Sequence, residues 1–476
     1  MPGPEATTIL IVLAGVVVVV AGILAMKLPP FLALLAGALT VGLLTPDAIR
    51  LDSLALQYDA ATLDRLGGVE AVAKARGTVP SQVAAAFGTT CGKIGLLIAL
   101  AAVIGQTMRH SGAADVVVRT ILAAIGVDRA PAALVASSFV VGIPVFFDTV
   151  FYLMIPIARS VYRQTGGNFL FLVLCIICGG TMAHSLIPPT PGPLYIAENL
   201  NISLGVMIAA GLAVGAVTVG TGFLFARWIS RGSTLLPPDE AVVPAVGPDA
   251  IDADGPPFSL AMLPIVVPVL LLGLSTTLDT LLGKDSLGSA RWLLDKNMAL
   301  VVGAAIGIGL LRRWNQSDRD WSDLVSESLL SGGLIVLITG VGGAFGAMLQ
   351  LAGVRQLFDS LPDVGTAGLL TLGFVVTAAV RTAQGSSTVA MITAVGLFKG
   401  ITPEELGCHP VYLAMAIGCG GKPLAWMNDS AFWVMTRLSG MTPAQGLRTI
   451  TPMTATMAVV GQVFIVAAAA VLPLID

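Results

Sequence analysis

Long apolar stretches alternate along the chain with short polar interruptions. Runs such as TTILIVLAGVVVVVAGILAM (7–26) and ISLGVMIAAGLAVGAVTVGTGFLFA (202–226) reach the roughly 20 apolar residues that a helix needs to span a hydrocarbon core. At least eight such runs can be marked. Lipid cannot satisfy backbone N–H and C=O groups, so runs of this length predict helices. The first run has no basic n-region and no A-x-A cleavage pattern, and a second apolar segment follows at once, so it reads as a retained span.

Two stretches break the pattern for longer. Residues 46–80 carry five acidic and four basic residues and no long apolar run, which predicts a soluble loop with an amphipathic helix over 58–76. LPPDEAVVPAVGPDAIDADGPP (236–257) is rich in proline and acid and reads as an extended linker. It divides a first membrane repeat, 1–235, from a second, 258–476.

The halves align at one constant offset of 241 residues. Gly92, Gly105, Gly112, Gly179 and Gly180 then meet Gly333, Gly346, Gly353, Gly420 and Gly421, and the tripeptide CGG at 178–180 meets CGG at 419–421. Chance would give about one such glycine pair. At the same offset VVGIPVFFDTVFYLMIP (140–156) meets VRTAQGSSTVAMITAVG (380–396), so each half interrupts its apolar run at an equivalent place.

Charge near the span ends sets orientation. Arg227 and Arg231 open the linker and Arg312, Arg313 and Arg319 follow two spans later, which predicts that the linker and 312–323 are cytoplasmic. Residues 324–349 then end outside, whereas their partner 83–108 ends inside, at Arg109, His110 and Arg119. The repeats are expected to be inverted, with equivalent interruptions meeting near the bilayer midplane. Lys284, Arg291 and Lys296 fall on the outer side and oppose this bias.

Four interruptions hold the candidate chemistry: GIPVFFDT (142–149), GGTMAHSLIPPTPGP (179–193), RTAQGSST (381–388) and CGGKPLAWMNDS (419–430). Gly and Pro at this density, Pro188 and Pro189 included, unwind helices, and non-helical backbone persists at membrane depth only against protein or a wet cavity. Asp148 and Asp429 are the acids most deeply embedded in apolar sequence, where a charge is costly enough to suggest function. Capping a half-helix is the alternative, and Asn428, Asp429 and Ser430 suit a cap as well as a coupling-proton site.

Arg381 is the one guanidinium in the uncharged span 364–398. Its planar fork suits a substrate carboxylate, the alternative being an ion pair with Asp148 or Asp429. Gln384, Gly385, Ser386, Ser387 and Thr388 add close backbone approach, hydroxyls and half-helix N–H groups, and complete an expected substrate cradle. Lys422 is a second candidate cation, with snorkelling as its alternative. His184 is a candidate proton relay, with a backbone hydrogen bond as its alternative.

Composition narrows the function. The chain is 55% hydrophobic and 11% charged, against about a quarter charged in soluble domains. A net charge of −3 without a basic block suggests neither nucleic acid nor an anionic lipid surface as partner. Five cysteines lack metal-ligand spacing beyond Cys175-x-x-Cys178, inside an apolar run, and are expected to be packing residues, so no metal or cofactor is expected. AIGCGGKP lacks the Walker spacing, and with only His110, His184 and His409 no base is well placed beside GSST, which speaks against an enzyme reading.

GIPVFFD (142–148), PPTPGP (188–193), GSSTVA (385–390), NDSAFW (428–433) and IALAAVIGQTMRHSGAA (98–114) together resemble the gluconate permease (GntP) family of gluconate:proton symporters, within the ion-transporter superfamily. The resemblance implies an all-α polytopic protein of the bacterial inner membrane, with two inverted repeats, re-entrant hairpins or broken helices, and about 10–12 spans of ordinary length. It implies alternating-access, proton-coupled uptake of gluconate or a related sugar acid or small hydroxy- or amino-carboxylate, and a homodimer. A sodium-coupled carboxylate transporter of the same architecture and a non-transporting sensor of sugar acids are the alternatives.

Overall fold

The computed structural model describes residues 4–55, 60–233, 235–238, 255–282, 292–354, 356, 364–427 and 429–474. The side chain of Gln384, Asn428, Lys284, Arg291 and most of the linker lie outside the described residues. Regular structure among the described residues is helical throughout. Among the described residues eight helices are long and apolar enough to cross a membrane, or ten if each of two sharply bent pairs is one span.

The first half runs α1 (Pro4–Leu24), α2 (Pro30–Leu44), three short helices α3 (Asp47–Ala55), α4 (Ala60–Arg65) and α5 (Val69–Ala75), the long α6 (Val79–His110), α7 (Ala113–Ile125), α8 (Ala130–Val141), α9 (Phe147–Thr165), α10 (Phe169–Leu186), α11 (Pro191–Asn199) and α12 (Leu204–Ile229). The second runs α13 (Phe258–Leu282), α14 (Lys296–Arg313), α15 (Trp321–Leu351), α16 (Gly365–Gln384), α17 (Ser387–Phe398), α18 (Pro403–Leu406), α19 (Pro410–Gly420), α20 (Ser430–Ser439) and α21 (Pro443–Val471).

The single helix expected over 58–76 is instead two short ones. Gly67 and Gly68, both at positive φ (83° and 89°), break it, a conformation glycine adopts without a Cβ clash.

The 241-residue offset carries through the secondary structure. Shifted by it, α6 covers 320–351 and α15 is Trp321–Leu351; α10 would start at 410, where α19 starts; α12 covers 445–470, within α21. Asn168 caps α10 by accepting from Phe171 N–H, and His409, its partner at the offset, caps α19 by accepting from Val411 N–H.

The equivalent long helices run antiparallel. A methyl group placed on Gly332 meets Ala102 and Ala99, one on Gly340 meets Cys91 and Phe87, and Cys91 Sγ lies 3.9 Å from the Val336 carbonyl, so contacts descend α6 as they climb α15. Small residues let these backbones approach, as in other membrane helix pairs. Gly222 faces Cys178 and Met457 while Gly461 faces Cys419 and Thr218, so the repeat-related cysteines occupy reciprocal places. Equivalent helices of opposite direction with reciprocal contacts make the halves inverted repeats, as expected.

The loop after α14 returns to the end of α6, where Gln316 N–H donates to the His110 carbonyl (2.9 Å). Arg312 and Arg313 therefore share an end of the molecule with Arg109. The start of α6 and the end of α15 lie at the opposite end.

Candidate functional site

Helices α16 and α17 form a hairpin. α16 stops at Gln384, Gly385 (φ 88°) turns the chain, and Ser386 caps α17 by accepting from Val389 N–H. Gly373, twelve residues before the turn, faces the ring of Phe398, thirteen after it. α19 and α20 form a helix broken over 421–429, where Leu424 holds a left-handed conformation (φ 55°) that is uncommon for a side chain of its size.

Arg381, 3% exposed, ties these two breaks together. Its Nε donates to Ser387 Oγ (3.1 Å) and to the Gly421 carbonyl (3.2 Å), its Nη1 to the Gly385 carbonyl, and its Nη2 to the Asp429 carboxylate. Ser387 Oγ also donates to the Gly421 carbonyl (2.6 Å). Asp429 Oδ1 accepts from Ala431 N–H (2.9 Å), capping α20. The ion pair weighed as the alternative for Arg381 is therefore the observed arrangement, and Asp429 is cap and partner at once. Unwound carbonyls at 385 and 421 are satisfied by these donors rather than by lipid, as membrane depth requires.

The first half supplies the facing wall. The tip between α8 and α9 brings Phe147 against Gly180, and Asp148 opens α9. α10 and α11 break at 187–190, with a cis peptide between Pro188 and Pro189; Thr190 Oγ1 donates to the Ile187 carbonyl (2.7 Å). Gly192 on α11 packs against Met391 on α17, and the same methionine touches Gly421. All four interruptions picked out from the sequence therefore converge.

Lys422 sits at their centre, 7% exposed, and among the described residues its ammonium makes no hydrogen bond. It lies within electrostatic reach of Asp148, Asp429, Arg381 and His184. The His184 ring stacks edge-on against Phe146 (centroids 6.0 Å apart), and its buried Nδ1 has no partner among the described residues. Ser386 and Thr388 are half-buried at the hairpin tip, and Ser430 is exposed. Trp426, beyond the residues singled out, latches the unwound segment to the hairpin by donating its Nε1–H to the Thr382 carbonyl (3.0 Å). Its indole could have been noted as a donor in sequence, but not its acceptor.

Residues 68–471 match the profile described as GntP family permease. The chain belongs to the GntP permease family. It is 30% identical to a gluconate permease of Pseudomonas aeruginosa, over 80% of this chain and 85% of that one. It is 28% identical to an inner membrane permease of Escherichia coli K12, over 96% and 97% of the two chains. The fold is similar to that of the YdaH transporter of Alcanivorax borkumensis, described as having an unusual topology (TM-score 0.51, 15% identity, all of both chains). This GntP permease is thus a transporter rather than an enzyme, a multi-pass protein of the inner membrane.

Proposed function

We propose that this permease takes up gluconate or a related sugar acid together with protons, and that the convergence of the four breaks is where both bind. The observation that carries the reading is the charge balance there. Two basic groups, Arg381 and Lys422, meet two acids, Asp148 and Asp429, there. Adding a substrate carboxylate leaves one uncompensated negative charge in a buried place, which is costly. A proton taken up with it restores the balance, so the anion and the proton favour each other's binding.

Within this reading Lys422 is the primary contact for the carboxylate, since most of the Arg381 fork is engaged by the protein. Arg381 organises the hairpin tip, and its remaining N–H groups, with the Ser386 and Thr388 hydroxyls, face the sugar-acid hydroxyls. Asp148 is the favoured proton carrier, because Asp429 is committed to Arg381 and Ala431. His184, which lies within electrostatic reach of Lys422, would serve as the relay.

Sodium coupling is less favoured, since the Gly385 and Gly421 carbonyls that could coordinate an ion already accept from Arg381 and Ser387. Counterflow tests the reading: liposomes preloaded with unlabelled gluconate should accelerate entry of labelled gluconate. A sensor that binds without carrying would show no acceleration.

A further inference from the structure

A cavity of about 750 Å³ lies apart from the charged site, at the end of the molecule opposite the Arg312–Arg313 loop. The start of α6 and the end of α15 wall it, through Thr89, Thr90, Gly343 and Gln350. α5 brings Arg76 to it, and the residue following α17 brings Lys399. Its lining holds these two cations and no acid among the described residues, and Lys93 lies close enough to Lys399 to be felt electrostatically. The buried Gln356 Oε1, also in the lining, has no partner among the described residues.

The cavity opens at one end of α17 and the charged site lies at the other, an interval of 12 residues or about 18 Å. Between them α17 crosses α15 almost backbone to backbone, where a methyl group on Gly396 would lie 2.8 Å from the Gly346 Cα. Gln350 donates to the Gly396 carbonyl (3.0 Å) at the cavity floor. A cleft lined by charge of one sign between low-dielectric walls concentrates counter-ions.

We propose that this cavity is an anion-collecting antechamber, in which Arg76 and Lys399 hold a small carboxylate at the end of α17 remote from the charged site. The polar insertion around α3–α5, for which the charged site has no use, thereby acquires a role as its rim. The identity of the anion as a sugar acid rests on the function proposed above; the presence of the antechamber does not.

The test places a thiol in the cavity of the full-length protein in liposomes, as Thr89→Cys in a Cys91→Ser background. Its labelling is compared between an anionic sulfonatoethyl and a cationic trimethylammonioethyl methanethiosulfonate, each relative to a free thiol. The anionic reagent is expected to be favoured about tenfold, the preference to collapse in Arg76→Gln/Lys399→Gln, and gluconate or glycerate to slow the reaction. Lys399→Gln alone, at an exposed position beyond a helix end, should give a partial loss should the double variant fold poorly. No anionic preference, or a preference indifferent to both substitutions, overturns the antechamber. A preference that neither carboxylate disturbs overturns its occupancy by substrate. Failure of the wild-type liposomes to take up gluconate, with the preference and its slowing by glycerate intact, counts against the proposed substrate and not against the cavity.

Discussion

Arg381 and Asp429, 48 residues apart in sequence, form a buried ion pair whose side chains are 3% and 11% exposed, joining the tip of a helical hairpin to the gap in a broken helix. Removing one member of such a pair strands the other charge, at a cost of ~3–5 kcal/mol. Arg381→Ala and Asp429→Asn should each lower the thermal unfolding midpoint in detergent and abolish uptake. The double substitution Arg381→Gln/Asp429→Asn should recover part of the stability and none of the uptake. Full uptake in Arg381→Ala would remove it from the site altogether.

Among the described residues Lys422 makes no such bonds, so its loss should be felt by substrate before it is felt by the fold. A hydrogen bond to a charged group contributes ~1.5–3 kcal/mol, so Lys422→Gln should weaken gluconate binding about 10- to 100-fold. Titration calorimetry on the purified protein measures this, with the unfolding midpoint as control. Unchanged affinity would assign the carboxylate elsewhere.

For Asp148 the distinguishing measurement is the pH dependence of transport. Asp148→Asn should keep gluconate exchange, which needs no net proton movement, and lose both the pH dependence of uptake and accumulation against a gradient. Wild-type pH dependence in that variant would transfer the coupling role to Asp429 or His184.

The crossing of α15 and α17 leaves no room for a side chain. In Gly396→Ala the new methyl would press on the Gly346 backbone, which cannot rotate away, so the hairpin must shift. Strain of this kind costs ~1–3 kcal/mol. Slower uptake with an altered KM is expected, whereas Gly220→Ala, which has open space, should behave as wild type.

Much of this was legible in sequence because a bilayer makes interruptions conspicuous. Glycine, proline and isolated charges stand out at 142–149, 179–193, 381–388 and 419–430 against an apolar background, and paired glycines revealed the offset that α6 and α15 obey. Which charges pair was not legible. Arg381 could have met Asp148 or Asp429, and the docking of the 421–429 break on the hairpin tip decides between them. The helix expected over 58–76 failed at Gly67–Gly68, two residues that amphipathic periodicity does not register. The cavity beneath Arg76 and Lys399 draws on residues more than 300 positions apart, which no local pattern connects.

The most direct test of proton-coupled sugar-acid uptake is accumulation of labelled gluconate in proteoliposomes under a proton gradient and a sodium gradient imposed separately. The charge balance at Asp148, Lys422, Arg381 and Asp429 predicts accumulation driven by the proton gradient alone and lost on adding a protonophore. Accumulation driven by sodium with the proton gradient collapsed would contradict it.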